Sequence, residues 1–288
     1  MTSEAVSQRI ESIRAWGDRG VFRPRELGPP SRASGVPWRL GGVSAVPDTV
    51  LEAGRVGALE VRAASTRGTS HRYDGVVRQD AVGVTEVAGR YVLAAVADGV
   101  GAAADAHRGA GLAVRHALDH LTAVLRDADL ARVDLGGALW AADRAVRAAG
   151  PEPRKRSTTL TVAAVATGPA PRYRVARVGD SPGFLLTDGA FLPLFDERDG
   201  FLIDAGTDCL PSPRRMERAD GVLRAGQALV LASDGVGIPM RDTQAGVYLA
   251  EAWAEPPGPV TYLHQLLFDL RSFDDDRTAV VMWARGEP

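Results

Sequence analysis

Five aspartates in this chain stand where a predicted strand begins or ends. Asp80 lies just before the strand 81–87, Asp98 follows 91–97 in VADGVG, and Asp180 follows 173–178 in VGDS. Asp234 follows 228–232 in ASDGV, and Asp275 precedes the last strand, 277–283. If these ends meet at one edge of a layered fold, the carboxylates converge. Unit charges about 4 Å apart repel by about 4 kcal/mol at an effective dielectric near 20, so such a group calls for cations. Hard oxygen ligands without cysteine or histidine beside them select magnesium or manganese. Two such ions sharing one carboxylate would activate a water and clamp a phosphoryl group for in-line attack. An Asp-Gly pair by itself is an ordinary turn former, and Asp188-Gly189 and Asp220-Gly221 are read as turns. Asp98 and Asp234 differ because each follows a fully apolar strand, where an unpaired carboxylate is disfavoured.

The elements that must position these acids are legible from periodicity. Residues 81–87 and 91–97 form a hairpin around Ala88-Gly89-Arg90, and 158–166, 173–178, 183–186 and 190–194 read as further strands, with Thr187-Asp188-Gly189 as a second tight turn. Segments 109–126, 136–149, 244–254 and 260–271 carry apolar residues at three-to-four spacing and read as amphipathic helices. Hairpin strands in runs with helices in blocks predict an α+β fold of stacked layers rather than a wound βαβ sheet. Residues 4–16 suggest a short amphipathic helix. From Arg23 to about Glu60 the chain is rich in proline and glycine and is expected to lack regular elements. The division expected is therefore an extension over 1–60 and one domain over 61–288.

Composition narrows the function. The chain has 288 residues, with 34 basic and 36 acidic side chains and 45% hydrophobic residues. That suffices for a sizeable core, and a net charge of -2 gives no global field to gather nucleic acid or anionic lipid. Neither a membrane nor a nucleic-acid partner is expected. The single cysteine, Cys209, permits no internal disulfide, and no apolar leader is visible. A cytoplasmic location is the expectation.

The ordered series RQDA at Asp80, VADGVG, STTL at Ser157 to Leu160, VGDS, LASDGV and DDDRT resembles the metal-dependent serine/threonine protein phosphatases of type 2C, over about Val61 to Trp283. The likeness is nearest to bacterial members with G-x-S-H and Q-D-A motifs, here Gly68 to His71 and Gln79 to Ala81. It implies a four-layer αββα sandwich of two antiparallel sheets flanked by helices. It also implies two Mg²⁺ or Mn²⁺ ions, with Asp98 bridging them and the Gly99 carbonyl as a ligand of the second. Asp234 and Asp275 would complete the first site, and Asp80 would support the second ion or its waters. Asp276 takes the family's Asn place and Thr278 its Thr place. His71 or Arg72 stands where the family has a phosphate-gripping arginine. Gln79 replaces the usual Glu, Val100 the usual His or Met, and Ile238 a carboxylate of a third metal site that Asp180 would share.

The resemblance implies a phosphoprotein substrate and a cognate serine/threonine kinase. A regulatory module that keeps the fold without turnover, or a hydrolase of small phosphoesters, is the alternative. His116 and His120 lack the Glu of a zinc helix. His107 falls near the acid edge and is a candidate for substrate contact, and Cys209 has no base beside it. Trp140, Trp253 and Trp283 are read as core packing. Residues 195–219 form a connection too long to be routine and resemble the family's flap.

Overall fold

The computed structural model describes residues 26–27, 46–101, 103–196, 208–270 and 273–286. The expected helix at 4–16 lies outside them. Two antiparallel sheets stack face to face. One has five strands: β4 (Ala81–Val87), β5 (Tyr91–Ala97), β6 (Leu160–Ala166), β7 (Arg172–Val178) and β10 (Glu217–Val222), in the order β10-β7-β6-β5-β4. The other has six: β2 (Thr49–Val56), β3 (Leu59–Thr66), β8 (Gly183–Thr187), β9 (Ala190–Pro193), β11 (Ala228–Ala232) and β13 (Arg277–Ala284), in the order β2-β3-β13-β11-β8-β9. A short parallel pair, β1 (Glu26–Leu27) with β12 (Asp269–Leu270), stands apart from both.

Strand alternation builds the layers. Along β5, Leu93, Ala95 and Ala97 pack with the helices α2 (Ala106–Leu125) and α3 (Gly136–Ala148), while Val92, Ala94 and Val96 face the other sheet. Along β13, Ala279, Val281 and Trp283 face the opposite helices, and Val280 and Met282 face inward. Those helices are α4 (Asp234–Asp242), α5 (Gln244–Ala252) and α6 (Pro259–Leu266), which with α1 (Thr69–Asp74) complete the set. The architecture is the αββα sandwich that the motifs imply, and its central strands are apolar throughout because both their faces are covered.

Several local expectations fail. The proline- and glycine-rich stretch before Glu60 contains β2, which pairs with β3 along its whole length. Asp220-Gly221 is no turn but part of β10, paired with Arg174 and Tyr173 of β7. Trp253 and Trp283 are buried in an aromatic cluster with Tyr262, and the Trp283 indole donates to the Trp253 carbonyl at 2.7 Å. Trp140, by contrast, is 48% exposed on α3 and packs no core. Of the expected flap, 197–207 lies outside the described residues, and Leu210 forms a bridge with Thr158 beside the end of β5.

Candidate metal centre and its surroundings

Four of the five strand-end acids meet. Asp80 precedes β4, Asp98 follows β5, Asp234 opens α4 and Asp275 precedes β13, so both sheets deliver carboxylates to one edge. The sequence motifs around them hold the backbone in place. Thr159 Oγ1 accepts from the Asp98 N–H at 3.0 Å, while the Thr158 hydroxyl and the Thr159 N–H donate to the Asp98 carbonyl at 2.8 Å each. Ser181 of the VGDS motif bonds Thr159 Oγ1 at 2.7 Å, which links β7 to the same anchor. Ser233 and Thr278 exchange bonds across β11 and β13, with the Ser233 N–H on the Thr278 carbonyl at 2.9 Å and the Thr278 N–H on Ser233 Oγ at 3.1 Å. Gly235 is required by close approach, since a β-carbon there would collide with the Asp276 carbonyl.

Electrostatics record the crowding. Burial, then Asp276, lifts the buried Asp80 carboxyl well above the ordinary carboxylate range, against a 2.6 Å bond from the Thr278 hydroxyl that favours its charge. Asp98 is lifted likewise by burial and by the charges of Asp80 and Asp234. Asp275, at the mouth of the group, is raised by partial burial and by Asp234. Like charges in a drying environment protonate unless a cation intervenes. Asp180 is exposed and is not among the main charges acting on the others, and the apolar Ile238 stands in α4.

Asp276 plays a different part from its neighbour. Its Oδ1 accepts from the Gly68 N–H at 2.7 Å and bonds His71 Nδ1 at 2.8 Å; its Oδ2 accepts from the N–H groups of Gln79 and Asp80 at 2.5 and 3.2 Å. Burial alone would lift this carboxyl, but the bond and charge of His71 with the backbone donors hold it below the ordinary value. Burial disfavours the charged His71, yet Asp276, Asp275 and Asp80 together keep its pKa above normal. His71, Asp275 and Asp276 bring one ligand atom each to within 4.8 Å of one another, although both Asp276 oxygens are already taken by N–H donors. Of the two candidates for phosphate contact, His71 therefore stands at the cluster, with Nε2 3.8 Å from Asp275 Oδ1. Arg72 is engaged elsewhere, donating to the Arg67 carbonyl and pairing with Asp48 at 2.6 Å.

Sequence reasoning missed Arg78. It is buried, and its Nη1 donates to Ser65 Oγ and to the Asp80 carbonyl at 2.5 Å each, fixing the chain on which Asp80 sits. An arginine two residues before the acid of the QDA motif was the available signal. Cys209 is partly buried with its thiol pushed up by that burial, which argues against a nucleophile.

Fold and site together are those of a metal-dependent phosphatase. Residues 67–268 match the family model described as protein phosphatase 2C, and the chain belongs to that family. Among solved structures, the serine/threonine phosphatase PstP/Ppp of Mycobacterium tuberculosis is 26% identical, with a TM-score of 0.59 over 79% of this chain and 99% of that one. The catalytic domain of the serine/threonine protein phosphatase PstP in complex with two manganese ions is 27% identical, with a TM-score of 0.58 over 78% of this chain and 97% of that one. The PPM Ser-Thr phosphatase MsPP from Mycobacterium smegmatis, in complex with cacodylate, is similar in fold at 22% identity, TM-score 0.55, covering 81% and 100%. No curated protein matches the chain in sequence. Among the described residues, no helix is long and apolar enough to cross a membrane.

Proposed function

We propose that the acid cluster holds two divalent cations, Mg²⁺ or Mn²⁺, and that the chain uses them to hydrolyse phosphoserine and phosphothreonine on proteins. The observation that carries this reading is a buried oxygen without a partner. Asp234 Oδ1 is buried and unbonded beside three other carboxylates, and Gln79 Oε1 is also buried and unbonded. Such atoms are costly unless something electropositive meets them. The all-oxygen donor set suits hard cations, and the manganese complex of the 27% identical PstP domain supports the same choice.

In this reading Asp80, Asp98, Asp234 and Asp275, with the Gly99 carbonyl, would hold the two ions. Bound divalent ions supply Lewis acidity and an activated water. The chain's own contribution is placement. Thr158 and Thr159 fix Asp98 through its backbone, and Asp276 holds His71 by Nδ1 so that Nε2 is turned to the Asp275 side, where it can hold a phosphate oxygen or give a proton to the departing alcohol. The substrate is a phosphoprotein, its counterpart a serine/threonine kinase, and a reducing cytoplasm suits the lone Cys209. Manganese-dependent release of phosphate from a phosphothreonine peptide tests the reading. No release with either metal, at any peptide concentration, would sink it.

The raised carboxyls also fix a stability prediction. Asp80, Asp98 and Asp275 hold protons more tightly folded than unfolded, so the metal-free fold loses stability as pH rises from the ordinary carboxylate value near 4 through their raised folded values. The melting midpoint of the chelator-treated protein is expected to fall between pH 5 and pH 8. At one fixed concentration, roughly a hundred times its dissociation constant at pH 8, manganese should raise it by about 5–10 °C at pH 8 and by less at pH 5. An equal rise at both pH values would contradict the assignment.

A further inference from the structure

A cleft of about 470 Å³ opens beside the acid cluster, lined by Arg78, Asp80, His107, Arg108, Gly111 and Arg115 among others. The last four lie on one face of α2, at spacings that bring successive turns together. Two links tie the cleft to the site. Asp80 belongs to both, and α2 begins at Ala106, whose methyl would lie 2.8 Å from a β-carbon built on Gly99.

Folding does not account for this face. Arg108 and Arg115 are exposed, and neither side chain makes an ion pair or a hydrogen bond with a described residue. His107 and Arg108 occupy the first turn of α2, where the helix presents its positive end and acids are the stabilising choice, yet that turn holds no acid. Gly111 weakens the helix relative to alanine, and a β-carbon on it would meet nothing within 4 Å. Gly109 is different, because a β-carbon there would run into the Arg156 carbonyl. At Gly111 no neighbour requires the missing side chain, and its absence leaves the floor open between Arg108 and Arg115.

The two acids at the inner end of the cleft are committed elsewhere. Asp80 accepts from Thr278 inside the cluster, and Asp105, just before α2, lies 4.0 Å from Arg156 Nη1. Arg78 is held by Ser65 and by the Asp80 and Pro47 carbonyls, which leaves Arg108 and Arg115 as the cations turned to a ligand.

We propose that this cleft is a subsite for an acidic residue of the substrate, taking the carboxylate of an aspartate or glutamate that flanks the phosphoresidue. The proposal rests on the phosphatase reading for what brings the peptide there. It makes acidic phosphopeptides the substrate class and explains how a site ringed by carboxylates gathers an anionic chain.

Fluorescence anisotropy on the full chain in manganese tests it, with two peptides in which a phosphonate replaces the phosphoester so that nothing is cleaved. One carries glutamates on both sides of the phosphonate residue, its twin glutamines. The glutamate peptide should bind on the order of tenfold tighter at low salt, with the advantage shrinking as salt rises. The double variant Arg108→Gln/Arg115→Gln should bring the two affinities together, and Gly111→Leu should do the same by filling the floor. Equal binding by the wild type overturns the proposal, as does a preference that survives the double variant. Phosphate release from the matching phosphoesters is read separately. A kept binding preference without release would count against catalysis and for the cleft.

Discussion

Replacing Asp98 with asparagine is expected to lower manganese-dependent phosphate release by on the order of a thousandfold or more, while making the metal-free protein harder to melt. Both effects come from one cause. Asp98 is pressed by its neighbours as well as by burial, with Asp80, Asp234 and Asp275 all disfavouring its charge. On the proposed assignment that charge would help hold both cations, and neutralising it would remove stabilisation from the transition state more than from the bound substrate, so kcat would fall. Without metal the same charge is a burden, and a neutral amide of nearly the same shape relieves it. The backbone anchors on Thr158 and Thr159 do not involve the side chain and should survive. Asp180→Asn is the control, because that residue is exposed and is not among the main charges acting on Asp98. Measured side by side, Asp98→Asn should lose turnover and its manganese-induced rise in melting midpoint, and Asp180→Asn should lose neither. Turnover retained by Asp98→Asn would remove the acid cluster from the chemistry.

The layered architecture was legible because its signals are strong and local. Strands such as 91–97 and 228–232 are apolar on both faces, and their flanking turns and acids mark their ends. What escaped was set by tertiary contact. α1 carries no buried residue, so it has no apolar stripe to read. α4 contains Gly235, Gly237 and Pro239, residues that weaken helices, yet it forms where Gly235 must pass the Asp276 carbonyl and Gly237 must pass the Pro182 ring. β2 is an edge strand, largely exposed, and lacks the alternation that would reveal it. At the site, the acids were readable one by one, but the separation of labour between Asp275 and Asp276 was not. Adjacent aspartates look alike in sequence. Only the fold turns one to the cluster and surrounds the other with four N–H donors. The same geometry explains why an acid occupies the family's Asn place, since Asp276 faces His71 and three backbone amides, and a carboxylate alone accepts from all of them.

Asp276→Ala is accordingly expected to cost about 3–5 kcal/mol of stability, the range for stripping one partner from a buried charge pair and its bonds. A domain of this size then melts roughly 6–20 °C lower. The loss should reach beyond the point of substitution. Gly68 and His71 at the start of α1, and Gln79 and Asp80 before β4, all lose their shared acceptor at once, so Asp80 and His71 are released from register together. Asparagine should rescue only part of this, because its single oxygen accepts while its amide group faces further donors. The pH dependence separates this from a packing defect. Asp276 is held below its ordinary value, so its contribution is present above the unfolded carboxylate value near 4 and is lost as pH falls through its folded value. His71 is held above its ordinary value of 6.5, so its share is complete below that value and fades as pH rises through the folded one. The gap in melting midpoint between wild type and Asp276→Ala should therefore be widest between about pH 4 and pH 6.5 and should narrow on both sides. Thermal scans of both proteins in chelator across that range would reveal it. A gap independent of pH would mean that the carboxylate and imidazole do not interact as ions, and that His71 reaches the acid cluster without help from its neighbour.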